Sequence, residues 1–297
     1  MIDMLLTVLE QACLYLPLVV GAYISISLLK TPDLGIESAY VFGAICAARF
    51  IPLLPNWSLP VTLVCAMLVS MFGGMCVGGI VFVCTRRFNI PHLLASILTI
   101  GIFHGLNQLI LGASNVSLAA FENPLASFNF INGHPECIVL FGTSLLLIMS
   151  GLVFFRTQLG YSFFIYGNNP LFFENYGISA RYVFCCGLLS AHALAGIGGY
   201  FVAQSSSFVD ISAGFGMTLF SVTCLILGKA FVRRRLFTIC VPIVGIVVYC
   251  IIQQLLLKVG FDLKYFTMIQ SLIVLSVLVR QYRKGALRRF KIDNLGV

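Results

Sequence analysis

The sequence predicts an all-α, polytopic transmembrane helix bundle of about nine spans, and three observations carry that prediction. Sixty per cent of the residues are hydrophobic, 9% are charged, and mean hydropathy is +1.02 over 297 residues. A soluble domain has roughly a quarter of its residues charged. Apolar runs near the ~20 residues that a helix needs to cross hydrocarbon recur along the chain. The charges sit in short clusters between those runs, unevenly shared between alternate clusters.

The first run covers about Leu5 to Leu29 and closes at Lys30-Thr31-Pro32-Asp33-Leu34-Gly35-Ile36-Glu37. A second extends to about Ile51, and Pro55-Asn56-Trp57 with Pro60 makes a short turn. The third, about Val61 to Cys84, stops at Arg86-Arg87; Pro91 opens the fourth, which ends near Gly112. Ala113 to Glu136 carries no Lys or Arg and forms the longest loop of its side. The fifth span is about Cys137 to Phe155 and the sixth about Val183 to Gln204. Ser205-Ser206-Ser207 then begins a turn containing Asp210. The seventh runs from about Gly214 to Phe231 and meets Arg233-Arg234-Arg235. The eighth covers about Leu236 to Leu257, the ninth about Tyr265 to Val279, and a basic tail occupies 280–297. All 297 residues read as one membrane domain with no soluble module.

Charge sets the orientation. Fifteen Lys and Arg fall on one face: Lys30, Arg86, Arg87, Arg156, Arg181, Lys229, Arg233 to Arg235, and six in the tail. Arg49, Lys258 and Lys264 make three on the other. The excess of positive charge marks the cytoplasmic side. The 156–182 loop and the tail are therefore expected in the cytoplasm and the amino terminus outside. The net charge of +8 does not point to nucleic acid, because no basic face interleaved with aromatics occurs. Met1 to Ser27 lacks the basic start and small-residue cleavage site of a signal peptide. Eleven cysteines lie mostly in apolar runs without metal-ligand spacing, and read as small core hydrophobes. No GxxxxGK[ST], nucleophile elbow, HExxH or catalytic carboxylate pair occurs, which leaves little case for an enzyme, and no cofactor is expected. Glycine groups in the third and sixth spans read as packing devices for close helix approach.

The loop Arg156 to Tyr182 contains a short helix with both ends marked. Asn169 suits the amino cap, Pro170 the first helical position, and Gly177 the left-handed residue past the end. Its body, Leu171 to Tyr176, holds Phe172 and Phe173 with one charge, Glu174. Two turns of helix are marginal alone in water, so this one is expected to pack on something. A partner protein and the plane of the lipid surface both fit.

Polar groups at depth cost free energy and invite a functional reading. Asp33 and Glu37 flank a Pro- and Gly-interrupted segment, and Gln204 to Phe215 is a second interrupted entry into a span. The odd number of spans between the two gives them opposite directions, the pattern of an inverted repeat with broken helices, from which transporters build binding sites. His104, Asn107 and Gln108 lie mid-span in the fourth run and His192 in the sixth. Interhelical hydrogen bonding and solute contact are the two readings of that set.

Several stretches resemble a known family. Arg156-Thr157-Gln158-Leu159-Gly160, Gly167-Asn168-Asn169-Pro170 and Gly177-Ile178 are similar to the cytoplasmic loop of ABC permeases of the branched-chain amino acid and ribose type. Pro32-Asp33-Leu34 with Glu37-Ser38, His92 to Thr99 and Ser114-Asn115-Val116 resemble the narrower tryptophan/tyrosine-type branch, as do Ala203-Gln204, Phe208 to Asp210 and Gly214 to Gly216. The resemblance implies a dimerising permease subunit in a bacterial inner membrane, importing a small solute, most plausibly an amino acid. A separate ABC ATP-binding subunit would hold the helix after Pro170, with Gly167, Asn169, Pro170, Phe172, Phe173, Glu174 and Gly177 forming the coupling contact. An extracytoplasmic solute-binding protein would deliver solute along a pathway for which Asp33, Glu37, His104, Asn107 and Asp210 are the candidates. Glu174 and Lys229 depart from the family, which commonly has a basic and an acidic residue there. The alternatives are an ion- or proton-coupled secondary transporter of a small polar solute, relaying charge through Glu10, Glu37 and His104, and a membrane scaffold.

Overall fold

A computed structural model describes residues 2–53, 57–121, 123–126, 136–232, 240–262, 265–277 and 279. Their helices are α1 Ile2–Ala22, α2 Gly35–Phe50, α3 Leu59–Arg86, α4 His92–Leu111, α5 Cys137–Phe155, α6 Gln158–Asn168, α7 Leu171–Asn175, α8 Ala180–Ser206, α9 Met217–Phe231 and α10 Val241–Lys258. A shorter apolar helix, α11, covers Phe266–Val277. Eight helices of the described residues are long and apolar enough to span a bilayer, and α11 falls below that length. The expected ninth span coincides with α11 over its described residues, and the eight that meet the length stand near the nine expected. The basic tail and Arg233 to Arg235 lie outside the described residues.

Three helices, α2, α3 and α8, form the centre, and glycine sets their spacing. A Cβ at Gly74 or Gly196 would collide with the carbonyl oxygens of His192 or Ser70 across the α3–α8 contact, and one at Gly43 would strike the Gly196 backbone. Backbones this close gain dispersion contact along their whole length, which is how helices associate where lipid supplies no hydrophobic drive. Around this trio α1 packs on α8, and α9 on α10. By contrast α4 and α5 leave Leu98, Ile102, Leu109, Leu146, Met149 and Val153 exposed. Bare apolar surface of this kind suits a hydrocarbon solvent.

Two features distinguish the ends of the bundle. At one end β1 (Asn115–Ser117) pairs antiparallel with β2 (Phe208–Asp210), in the register Asn115↔Asp210, Val116↔Val209 and Ser117↔Phe208. This clip joins the segments that follow α4 and α8. Beside it the Arg49 guanidinium donates to the carbonyls of Ile110, at 2.6 and 3.0 Å, and Leu111, at 2.7 Å. A cation thereby satisfies the last carbonyls of α4, which closes at Gly112 in the left-handed region. The other end holds Lys30 and Arg86 against α6.

Both predicted interruptions are present. After Ala22, α1 widens into a π-helical turn, Tyr23–Leu28, and the chain then leaves helical geometry until Gly35, with Lys30 at φ +55°. Past β2 a 3₁₀ turn, Ile211–Gly214, precedes α9. This second segment descends from the clip to lie against α2 near Glu37 and Val41. Glu37 lies about 18 Å along α2 from Arg49, at 1.5 Å per residue. The two breaks therefore meet well inside the bundle rather than at its surface.

Candidate functional site

Where the breaks meet, the Glu37 carboxylate accepts a hydrogen bond from the Thr218 backbone N–H at 3.2 Å. Thr218 is in the first turn of α9, whose leading N–H groups have no partner within the helix. A carboxylate there satisfies a free donor and faces the positive end of the helix dipole. Gly216, at φ +83°, makes the left-handed turn that brings these groups to Glu37.

A crevice opens at this junction, walled by Glu37, His104, Asn107, Ile211, Gly214 and Phe215. Three of the five expected pathway residues thus share one space. Asn107 is buried and its Oδ1 has no hydrogen-bond partner, so a polar acceptor stands ready beside the carboxylate. Phe215 also borders a second cavity of about 180 Å³ lined by Tyr15, Phe220, Tyr249, Gln253 and Gln270. There the Phe220 ring stands 5.0 Å from Tyr15 and 4.8 Å from Tyr249, and the Gln270 amide donates to the Tyr249 hydroxyl at 2.6 Å. The sequence reading passed over this aromatic set, because its members come from four helices and none is unusual in its own span.

Asp210 and Asp33 lie apart from the crevice lining. The Asp210 carboxylate accepts from the Ser212 N–H at 2.8 Å and the Ser212 hydroxyl at 2.7 Å, capping the turn that enters the bundle. Asp33 is 1% exposed. Its Oδ1 accepts from the Gly35 N–H at 2.8 Å, while Oδ2 lies 3.5 Å from His192 Nε2 and 3.7 Å from His92 Nε2. His92 and His192 come from α4 and α8, and their pairing with Asp33 was not foreseen. Among the described residues no group of His, Cys, Asp or Glu is arranged to hold a metal ion.

At the basic end the marked loop contains two helices. The sequence reading missed α6, although Thr157 signals its start by accepting from the Gly160 N–H at 3.3 Å. The expected helix after Pro170 is there as α7, with Asn169 Oδ1 accepting from the Leu171 N–H at 3.2 Å and Gly177 at φ +68°. It is one residue shorter than expected, ending at Asn175. Phe173 is 1% exposed against Tyr166, and the Phe172 ring lies tilted against Tyr176 at 4.5 Å. Leu171 and Tyr176 stay 62% and 69% exposed. The Glu174 side chain lies outside the described residues.

The loop is also tied inward. Gly167 lies so close to the Leu28 carbonyl that no Cβ would fit. Lys30 Nζ donates to Asn168 Oδ1 at 2.6 Å, and Arg86 donates to the Tyr166 hydroxyl. Arg86 also lies over the Phe184 ring at 4.6 Å. Burial pushes the Tyr166 phenol up while Arg86 opposes it, so the hydroxyl keeps its proton at neutral pH.

Residues 4–278 match the family described as "Branched-chain amino acid transport system / permease component". The chain belongs to that family. An uncharacterized protein of Rickettsia prowazekii (strain Madrid E) is 29% identical over 288 residues, covering 94% of this chain and 99% of its own length. A tyrosine transport system permease protein of Clostridioides difficile (strain R20291) is 26% identical over 285 residues, covering 95% and 92%. No solved structure matches the chain. The family and the apolar helices together make this a multi-pass membrane permease subunit.

Proposed function

We propose that this chain is the membrane-spanning subunit of an ATP-driven ABC importer whose solute is an amino acid. The observation that carries the proposal is α7, a helix capped at both ends, anchored by Phe173 and presenting Leu171 and Tyr176 outward. A bare apolar face on so short a helix suits a groove in another protein. ATP binding and hydrolysis take place in that separate ATP-binding subunit, and this chain is not itself an enzyme. The 156–182 loop and the carboxyl terminus are cytoplasmic in the bacterial inner membrane, in line with the excess of Lys and Arg on that face. A solute-binding protein docks on the clip end, two copies of the chain pair in the membrane, and all 297 residues form one domain. Solute passes the Glu37 crevice with His104 and Asn107, and Asp210 shapes its entrance. The relative named for tyrosine transport makes an aromatic amino acid the first solute to try.

The test is co-purification of the tagged chain with its ATP-binding subunit, followed by uptake of the twenty radiolabelled amino acids into proteoliposomes containing the binding protein. ATP-dependent accumulation of one or more supports the proposal. A proton-coupled carrier is the second reading, favoured by the buried Asp33–His92–His192 cluster. Accumulation driven by a pH gradient without any ATP-binding subunit would establish it instead.

A further inference from the structure

We infer that Asp33 is a positioning residue, which carries movement of the α6–α7 segment to the Glu37 crevice without touching solute; this rests on the ABC reading above. The segment Leu28 to Leu34 is held on two sides. On its outer side Gly167 presses on the Leu28 carbonyl and Asn168 accepts from Lys30. A push on α7 therefore reaches residues 28–30 through backbone contact. On its inner side Asp33 is buried, and its two oxygens have separate tasks. Oδ1 holds the first N–H of α2 at Gly35, and Oδ2 faces the two imidazoles.

Of these, His192 is the fixed post. Its Nδ1 donates to the Leu188 carbonyl at 2.9 Å, within the helix that α2 and α3 clamp through glycine. With Nδ1 so held, the ring is fixed with Nε2 facing Asp33 Oδ2. One turn beyond Asp33, Glu37 holds the start of α9. Asn168 thus holds Lys30, the chain leads from there to Asp33, Asp33 holds Gly35 at the start of α2, and Glu37 of the same helix holds Thr218, a route of the kind that transmission through rigid packed elements uses. Asp33 is absent from the crevice wall, as a residue acting on Glu37's helix from outside the solute path would be.

The experiment uses the full assembly of permease, ATP-binding subunit and binding protein in proteoliposomes, supplied with a mixture of radiolabelled amino acids. The reading is the ratio of amino acid accumulated to ATP hydrolysed, together with the total concentration giving half-maximal uptake. In Asp33→Asn the ratio should fall about tenfold, within the range of a lost coupling between sites, with half-saturation unchanged. His92→Gln removes the outer imidazole and should lower the ratio about threefold, a partial loss of the same coupling. It also decides the matter if Asp33→Asn fails to assemble. A wild-type ratio in the variant that assembles overturns the inference. So does a preserved ratio with half-saturation raised tenfold or more, the mark of a lost solute contact. No ATP-dependent uptake by the wild-type assembly would sink the ABC reading itself, a result separate from any effect of position 33.

Discussion

Replacing Phe173 by Ala tests whether α7 is a docked element or a loose turn. Its ring is 99% removed from solvent and lies 6.4 Å from Tyr166 and 5.7 Å from Phe172. Truncating a buried Phe to Ala costs about 3–5 kcal/mol, the lower end applying where surroundings can collapse into the gap. A five-residue helix at the surface is such a place. About 3 kcal/mol corresponds to more than a hundredfold shift in docking, since each 1.4 kcal/mol is tenfold. The helix should therefore be displaced for much of the time while the spans, held to one another mainly by contacts away from α7, stay folded. Phe172→Ala removes a ring only partly buried and should cost roughly a third as much by the area it uncovers. Pull-down of the ATP-binding subunit by each variant, beside thermal unfolding in detergent, separates the effects. Phe173→Ala should lose the subunit at an unchanged Tm. Retention equal to wild type would refute the anchoring argument, and loss of both binding and Tm would show that α7 is part of the bundle's own stability.

Glycine packing predicts opposite outcomes at neighbouring positions of α3. Gly74→Ala forces the α3 and α8 backbones apart and should cost about 1–3 kcal/mol, seen as a lower Tm. Gly79, with open space at its Cβ position, should accept Ala with unchanged or slightly higher Tm, since Ala is the better helix former by about 1 kcal/mol. Glu37→Gln keeps a carbonyl acceptor for Thr218 but loses the charge; exchanging a charged for a neutral hydrogen bond should cost about 1 kcal/mol, and amino-acid uptake should fall more than Tm does. Arg49→Met removes the donor to two carbonyls of α4 and should lower Tm by an amount equivalent to about 1–2 kcal/mol, with no change in association with the ATP-binding subunit.

Much of this architecture is legible in the sequence, because a bilayer imposes length and charge rules that leave local traces. Cys137 to Phe155 is bounded in the structure as the hydropathy bounds it. The small helix after Pro170 announces itself through Asn169 and Gly177, whose backbone preferences are local. What escapes is whatever depends on distant partners. Asp33 and Glu37 look equivalent in sequence, four residues apart around Gly35, yet one meets two imidazoles and the other the start of α9. His192 gives no sign of its role, since a histidine in an apolar span reads the same whether it bonds a carbonyl or a carboxylate. The π turn at Tyr23–Leu28 consists of ordinary helix-compatible residues and carries no signal. Strands of three residues, such as β1 and β2, are too short for any alternating pattern to identify them.

The clip between Asn115 and Asp210 has a mechanical corollary. It fastens α4 to α8 by paired strands at one extremity, so a relative swing of the two rods that keeps the strands paired pivots there, works against the looser Asp33–His92–His192 contacts and grows with distance from the hinge. Across the 27 residues of α8, a lever of about 40 Å, a tilt of roughly 10° at the fastening sweeps the far tip through about 7 Å. That displacement is more than twice the width of a water molecule, about 2.8 Å, while at Glu37, part-way along the arm, the same tilt opens only a fraction of it.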